Sequence, residues 1–150
     1  MSMLPKVEIF AGLSEEEQAA LENSCVTRNY PRNTVVINEN DFADSLYVIE
    51  SGRVKVYCSD KNGKEYIMNT LGPGDYFGEL ALLDDDRRSA SVRTLEKSTF
   101  TIMFKDEFHA IMERHPKIAQ TLIRNLTRRV RKLTENVKSL ALQDVYGRVT

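Results

Sequence analysis

The sequence predicts an α+β fold in which an antiparallel β-barrel or jelly roll is flanked by short helices and followed by a long C-terminal helix. Two observations predict the β region. Short runs of strand-forming residues recur between Val26 and Phe104, and turn sequences separate them. A third observation predicts the long helix, because apolar residues after Pro116 recur every three or four positions. At 150 residues, the chain has the length of one domain that buries its own core.

The first element is a short helix that begins after Ser14. Ser14 is followed by Glu17 three residues later, which is the spacing of a capping box. The residues from Gln18 to Asn23 continue with good helix formers. We therefore expect a helix that ends close to Asn23.

The β region contains several runs of strand-forming residues at 34–37, 46–49, 54–57, 66–68, 90–95 and 99–103. Gly52, Asn62-Gly63 and the glycines of the segment 72–75 lie in the turns between them. Asn62-Gly63 predicts a type I′ hairpin turn, because both residues tolerate a positive φ. We interpret Gly52 and Gly72 as turn residues rather than ligand contacts, since hairpins require glycine more often than ligands do.

Two helices are expected after the last strand. Residues 106–114 predict a short helix, and Pro116 suits the first turn of a second helix that extends to about residue 142. Apolar residues of this second helix alternate at spacings of four and three from Ala119 onward. That period favours a coiled coil with a partner helix, although Ile118 and Leu122 form a second apolar edge that would pack on the barrel. The predicted dimerisation residues are Ile123, Leu126, Val130, Leu133, Val137 and Leu140.

Composition excludes several functional classes. The formal net charge of -1 does not suggest that the whole chain binds DNA or an anionic membrane. Cys25 and Cys58 form no metal-binding motif, so we expect a reduced, cytoplasmic protein without a metal. No apolar run approaches the length of about 18 residues that spans a membrane. His109 and His115 lie outside the β region, which argues against a metal enzyme, and we expect no enzymatic activity.

The segment from Phe77 to Val92 is the candidate site. Gly78 and the helix-compatible residues after it predict a turn whose free N–H groups face an anion. Arg88 offers a planar fork of donors suited to a phosphate, and a carboxylate such as Glu79 accepts hydrogen bonds from sugar hydroxyls. The residues therefore suggest a ribose phosphate as ligand. A simple ion pair between Glu79 and Arg88 is the alternative.

The runs F-G-E-L-A-L at 77–82 and R-S-A-S-V at 88–92 resemble the phosphate-binding segment of cyclic nucleotide-binding domains. The resemblance implies that Glu79 binds the ribose 2′-hydroxyl and that Arg88 and Ser89 bind the cyclic phosphate. Backbone groups of the glycine and leucine beside Glu79 would assist. The implied ligand-binding residues of this segment are Gly78, Glu79, Leu80, Ala81, Arg88 and Ser89.

Residues 115–142 and 144–148 are similar to the dimerisation helix and hinge of the Crp/Fnr (catabolite activator protein) family of bacterial transcription regulators. The resemblance implies that Arg129 approaches the phosphate and that Thr134 of the partner subunit contacts the base. Leu133 occupies an adenine-reading position that is often threonine in that family, and leucine offers no hydrogen bond. This departure leaves the base selectivity open. The resemblance implies cyclic AMP (cAMP) as effector, with cyclic GMP (cGMP) as the alternative.

The resemblance also implies the domain organisation. We expect a jelly roll (double-stranded β-helix) at 1–116, a dimerisation helix at 117–143 and a hinge at 144–150. In the family, the hinge leads to a winged helix-turn-helix that binds DNA, and this domain is absent from the chain. The expected protein is a homodimeric sensor of a transcription regulator, without a membrane contact. The alternative is a dimeric sensor or scaffold of the same family that binds another effector or none.

Overall fold

The structure, a computed structural model, describes residues 10–78 and 87–149, with side chains up to residue 143. Its architecture is an antiparallel β-roll with two short helices and one long C-terminal helix, which confirms the predicted fold class. The elements are α1 (Glu15–Asn23), β1 (Val26–Tyr30), β2 (Val35–Ile37), β3 (Ser45–Ser51), β4 (Val54–Ser59), β5 (Glu65–Leu71), β6 (Tyr76–Phe77), β7 (Ser91–Thr94), β8 (Ser98–Phe104), α2 (Lys105–Arg114) and α3 (Pro116–Val149).

The strands form two antiparallel sheets, with the orders β1-β8-β3-β6 and β2-β7-β4-β5. Apolar side chains of both sheets meet in one core cluster that includes Ile49, Val54, Phe77, Val92 and Phe100. Each predicted run coincides with a strand to within one residue at either end or lies inside it, but β1 and β6 were not predicted. The reason is physical, because β1 is largely exposed and β6 contains only two residues, so neither shows an apolar pattern.

The predicted type I′ turn at Asn62-Gly63 is wrong in detail. Gly63 has a φ of 82°, but Asn62 is not among the described residues with a positive φ. The Asp60 side chain explains the difference, because its Oδ1 accepts hydrogen bonds from the N–H groups of Asn62 and Lys64 at 2.9 Å each. This side chain selects a longer loop than the two-residue turn that the sequence suggested.

The helices cover one end of the roll. Ser14 caps α1 through the predicted capping box with Glu17, which confirms that helix start. A second core cluster joins the helices to the sheet that contains β3 and β8. Its fully buried members include Phe10, Leu21, Leu46, Phe108 and Ile118.

The long helix α3 contains 34 residues and is therefore about 51 Å long. Among its described side chains, those of the first part pack on the roll, chiefly the buried Ile118 and Leu122. Asn125, also buried, donates a hydrogen bond from Nδ2 to the backbone oxygen of Ala11 at 3.0 Å. The helical backbone continues through residues 144–149, where the hinge was predicted.

Candidate functional site

Arg88 lies just before β7, and its backbone is held on both sides. Its N–H donates to the Asp41 oxygen at 2.7 Å, and its carbonyl accepts from the Asn40 N–H at 2.9 Å. The residue is 8% exposed, although arginine is rarely buried to this extent without a partner. The chain therefore keeps a guanidinium inside the fold at the predicted phosphate site.

The contacts of the guanidinium are unequal. Nη2 donates to the backbone oxygen of Ser45 at 2.9 Å and to its Oγ at 3.2 Å. The Asp44 carboxylate lies 3.7 Å from Nη2 but is 73% exposed, so water screens this ion pair. Nη1 is buried and finds no hydrogen-bond partner in the described part of the chain. A buried donor without a partner is costly, and an anion beside it would remove that cost.

Burial lowers the pKa of Arg88, while the charge interactions with Tyr47 and Asp44 act in the opposite direction. The side chain remains a cation at neutral pH, because an arginine guanidinium is so weakly acidic. Tyr47 also places its ring 6.0 Å from the guanidinium carbon and stacks on Phe77 at 5.0 Å between ring centroids. The site thus combines one buried positive charge with an aromatic wall.

Gly78 makes room for this guanidinium. Its φ of 80° lies in the left-handed region that favours glycine. A Cβ at this position would collide with Arg88 Nη1 and would lie 2.9 Å from the Ser45 oxygen. Gly78 therefore serves both the backbone conformation and the position of Arg88.

We expect Gly78→Ala to weaken binding of the predicted phosphate-bearing ligand by about tenfold or more, because the new methyl displaces Arg88 and strains the backbone by about 1 to 3 kcal/mol. Isothermal titration measures the affinity and thermal unfolding measures the strain. Gly12→Ala is the matched control, since Gly12 also has a positive φ (88°) but a methyl group added there would meet nothing within 4 Å. Equal affinity losses in the two variants would contradict the role given to Gly78.

The remaining predicted residues of the segment are only partly placed. Glu79, Leu80 and Ala81 lie outside the described residues, so the pairing of Glu79 with a ribose stays a prediction. Ser89 is exposed, and its carbonyl oxygen lies 3.6 Å from the thiol of Cys58. An exposed hydroxyl beside Arg88 is consistent with a ligand contact.

Arg129 connects the long helix to the strand that leads into the site. Its Nη1 donates to the Tyr76 hydroxyl at 3.2 Å, and Tyr76 lies in β6, two residues before Gly78. Leu133 and Thr134 lie farther along α3 and are exposed. Their predicted contact with the base requires a second subunit and stays a prediction.

The predicted dimerisation residues form an apolar stripe along α3. Five of them, Ile123, Val130, Leu133, Val137 and Leu140, are between 57% and 65% exposed. Leu126 differs, because it is partly buried and packs against the core cluster of the helices. The single chain thus leaves a helical face uncovered that spans about 26 Å from Ile123 to Leu140.

Sequence reasoning missed Ser45, Asp44 and Tyr47. The apolar run that marked β3 began at Leu46, and a serine or aspartate before a strand is an ordinary turn residue. Tyr47 was assigned only to the strand. Nothing local distinguishes these residues, because Arg88 reaches them from a position 43 residues away from Ser45.

The histidine side chains and the Cys25 thiol of the described residues lie outside this site. Among residues 10–78 and 87–149, no group of three or more His, Cys, Asp or Glu is placed to hold a metal ion. Burial raises the pKa of the Cys25 thiol to about 12, with smaller contributions from Glu22 and Glu50, and its Sγ donates to the Leu21 oxygen. This thiol is therefore unreactive at neutral pH. None of the described helices is long and apolar enough to span a bilayer.

Comparison with known proteins decides the family. The sequence pattern of the cyclic nucleotide-binding domain matches residues 27–115. The chain belongs to this family. Among its relatives, the CRP-like cAMP-activated global transcriptional regulator of Mycobacterium tuberculosis is 33% identical over 147 residues, which are 98% of this chain and 66% of the relative. The cyclic AMP receptor protein of Thermus thermophilus is 31% identical over 141 residues, 94% of this chain and 65% of the relative.

Solved structures place this cyclic nucleotide-binding domain in the Crp/Fnr family. The N-terminal domain of a transcriptional regulator from Streptomyces coelicolor A3(2) has a TM-score of 0.83 at 28% identity, covering 91% of this chain and 95% of that one. The Thermus thermophilus catabolite activator protein has a TM-score of 0.74 at 31% identity, covering 89% and 63%. The predicted family is confirmed. The relatives are named as regulators, which agrees with the prediction of a binding domain rather than an enzyme.

Proposed function

We propose that this cyclic nucleotide-binding domain binds cAMP and forms the sensory and dimerising part of a cytoplasmic transcription regulator. The observation that carries the proposal is the buried Arg88, whose Nη1 lacks a partner among the described residues and lies beside Gly78. A cyclic phosphate carries one negative charge and free oxygens that accept from such a donor. Ser89 would add a hydroxyl, and Glu79 would accept from the ribose 2′-hydroxyl.

Thr134 supports adenine over guanine. Its Oγ1 donates its single proton to the Val130 carbonyl at 2.9 Å, so the hydroxyl can only accept from a ligand. Adenine offers an exocyclic amino group as donor at the position where guanine has an oxygen acceptor. If Thr134 of the partner subunit reads this edge, it selects cAMP even though Leu133 contributes no hydrogen bond.

Thr134→Val is expected to weaken cAMP binding by about threefold to tenfold and to leave cGMP binding nearly unchanged, since a neutral hydrogen bond contributes about 0.5 to 1.5 kcal/mol. Titration calorimetry with both nucleotides measures the change. Thr127→Val is the matched control, because Thr127 lies one heptad earlier, is exposed and donates to the Ile123 carbonyl at 2.8 Å in the same way. A loss that is equal for cAMP and cGMP would exclude Thr134 as the base-reading residue.

The function itself is tested by titrating the chain with cAMP, cGMP and the linear nucleotide AMP. We expect heat and a raised unfolding temperature with cAMP, a weaker response to cGMP and the weakest response to AMP, because its doubly charged, open phosphate does not match the single cation at Arg88. No heat and no thermal shift with either cyclic nucleotide would refute the proposal. A dimer that binds neither would instead be the sensor or scaffold for another effector.

The proposed output of binding is a change in the paired long helices. Arg129 already links α3 to β6, so a ligand held beside Gly78 and Arg88 acts on the helix through this contact. The chain spans about two thirds of the length of its curated relatives. We propose that a DNA-binding domain follows the helix in the full protein and that cAMP changes its orientation.

A further inference from the structure

Ser45, the first residue of β3, holds Arg88 from one side. The residue is 1% exposed, and its backbone oxygen and its hydroxyl both accept from Arg88 Nη2, at 2.9 and 3.2 Å. One terminal nitrogen of a guanidinium carries two N–H donors. Ser45 therefore supplies two acceptors to Nη2.

The hydroxyl of Ser45 is oriented for this role by its neighbour. Ser45 Oγ donates its proton to Asp44 Oδ1 at 2.9 Å and accepts from Arg88 Nη2 with a lone pair. The carboxylate of Asp44 thus acts on the buried guanidinium mainly through the serine, since its own distance to Nη2 is 3.7 Å. Because Nη2 of Arg88 contacts two oxygens of Ser45, the guanidinium plane is restrained against rotation about the long axis of the side chain.

We propose that Ser45 is a positioning residue that fixes the plane of the Arg88 guanidinium, so that Nη1 faces the nucleotide phosphate. This inference rests on the proposed function of the site. Nη2 makes two contacts with Ser45, whereas Nη1 has no partner among the described residues and lies against Gly78. Ser45 thereby holds Nη2 inside the fold and leaves Nη1 as the donor that faces the ligand.

The test compares Ser45→Ala with the unchanged chain in titrations with cAMP. The alanine keeps the strand and the backbone oxygen but removes the hydroxyl, so Arg88 is held at one point. We expect the affinity for cAMP to fall about threefold to tenfold, which is less than the loss of a whole hydrogen bond to a charged group would cost, because the Ser45 backbone oxygen still holds Nη2. Ser45→Cys, which fills the same space with a weak acceptor, serves as a second variant and should show the same loss.

Ser98→Ala is the matched control. Ser98 is also the first residue of a strand in the same sheet and is fully buried, but its hydroxyl donates to the Glu96 oxygen. We expect this variant to lose stability while its affinity for cAMP stays unchanged. Equal affinity losses in Ser45→Ala and Ser98→Ala would overturn the inference, because both would then reflect a loosened fold.

A second readout separates positioning from a structural role. In an Arg88→Lys background, the ammonium has no fork to orient, so adding Ser45→Ala should produce little further loss of cAMP affinity. The same loss in both backgrounds would contradict the proposal.

The NMR signals of Arg88 provide a test without nucleotide. In the ligand-free chain, its terminal N–H protons should give separate signals that average in Ser45→Ala as the guanidinium begins to rotate. Unchanged Arg88 signals would overturn the inference whether or not cAMP binds. Absence of cAMP binding by the unchanged chain would refute the proposed function instead.

Discussion

Arg88→Leu is expected to abolish cAMP binding within the range of titration calorimetry. A hydrogen bond to a charged group contributes about 1.5 to 3 kcal/mol, so losing two phosphate contacts costs about 3 to 6 kcal/mol. This corresponds to a decrease in affinity of roughly two to four orders of magnitude. The fold should survive, because Asp44, the carboxylate paired with Arg88, is 73% exposed and stays hydrated when the guanidinium is removed. The proposed dimer should also persist, because Arg88 lies on the roll and not on the apolar stripe of α3.

Arg87→Leu is the matched control for this result. Arg87 is the neighbouring residue and carries the same charge, but it is exposed, and its guanidinium lies 4.3 Å from the ring centroid of Phe42. Its loss should change cAMP affinity less than threefold, as expected for an exposed charge. If Arg88→Leu binds cAMP as tightly as the unchanged chain, the phosphate site has been assigned to the wrong residue.

An element of the fold could be predicted from the sequence wherever residues close together in the chain determine it. The capping box at Ser14, the break at Pro116 and the apolar runs of the central strands each reflect the residues nearest to them. β1 was not predicted because it is largely exposed, and β6 was not predicted because it is only two residues long. The type of the turn after β4 was predicted wrongly, because the side chain of Asp60, rather than Asn62-Gly63 alone, determines the length of the loop.

The residues of the site could be predicted only within the sequence segments that resemble the family. Arg88 and Gly78 were proposed from their own chemistry and from the resemblance to a phosphate-binding segment, and the structure places them against each other. Ser45 and Tyr47 were not predicted, because their role depends on a side chain that is distant in sequence. Glu79 stays a prediction because it lies outside the described residues. A contact between distant residues leaves no local periodicity, so only the fold reveals it.

The second large effect concerns the long helix. Val137→Asp is expected to convert the proposed dimer into a monomer at micromolar concentration. Val137 is 64% exposed in the single chain and lies beyond the part of α3 that packs on the roll, so the fold of each subunit should be unaffected. In a coiled coil, both subunits lose a buried valine, worth about 1.5 to 3 kcal/mol each, and two aspartates face each other. The dissociation constant should rise roughly a hundredfold or more.

Ser139→Asp is the matched control, because it adds the same charge two residues later at a position outside the heptad seam. Light scattering coupled to gel filtration measures the mass of both variants, and the control should remain a dimer. The monomeric variant should still bind cAMP through Arg88, but more weakly, since Thr134 of the partner subunit no longer reaches the base. If the Val137→Asp variant stays dimeric, the apolar stripe is covered by something other than a second copy of α3. Full cAMP affinity in a true monomer would show that each subunit completes its own pocket.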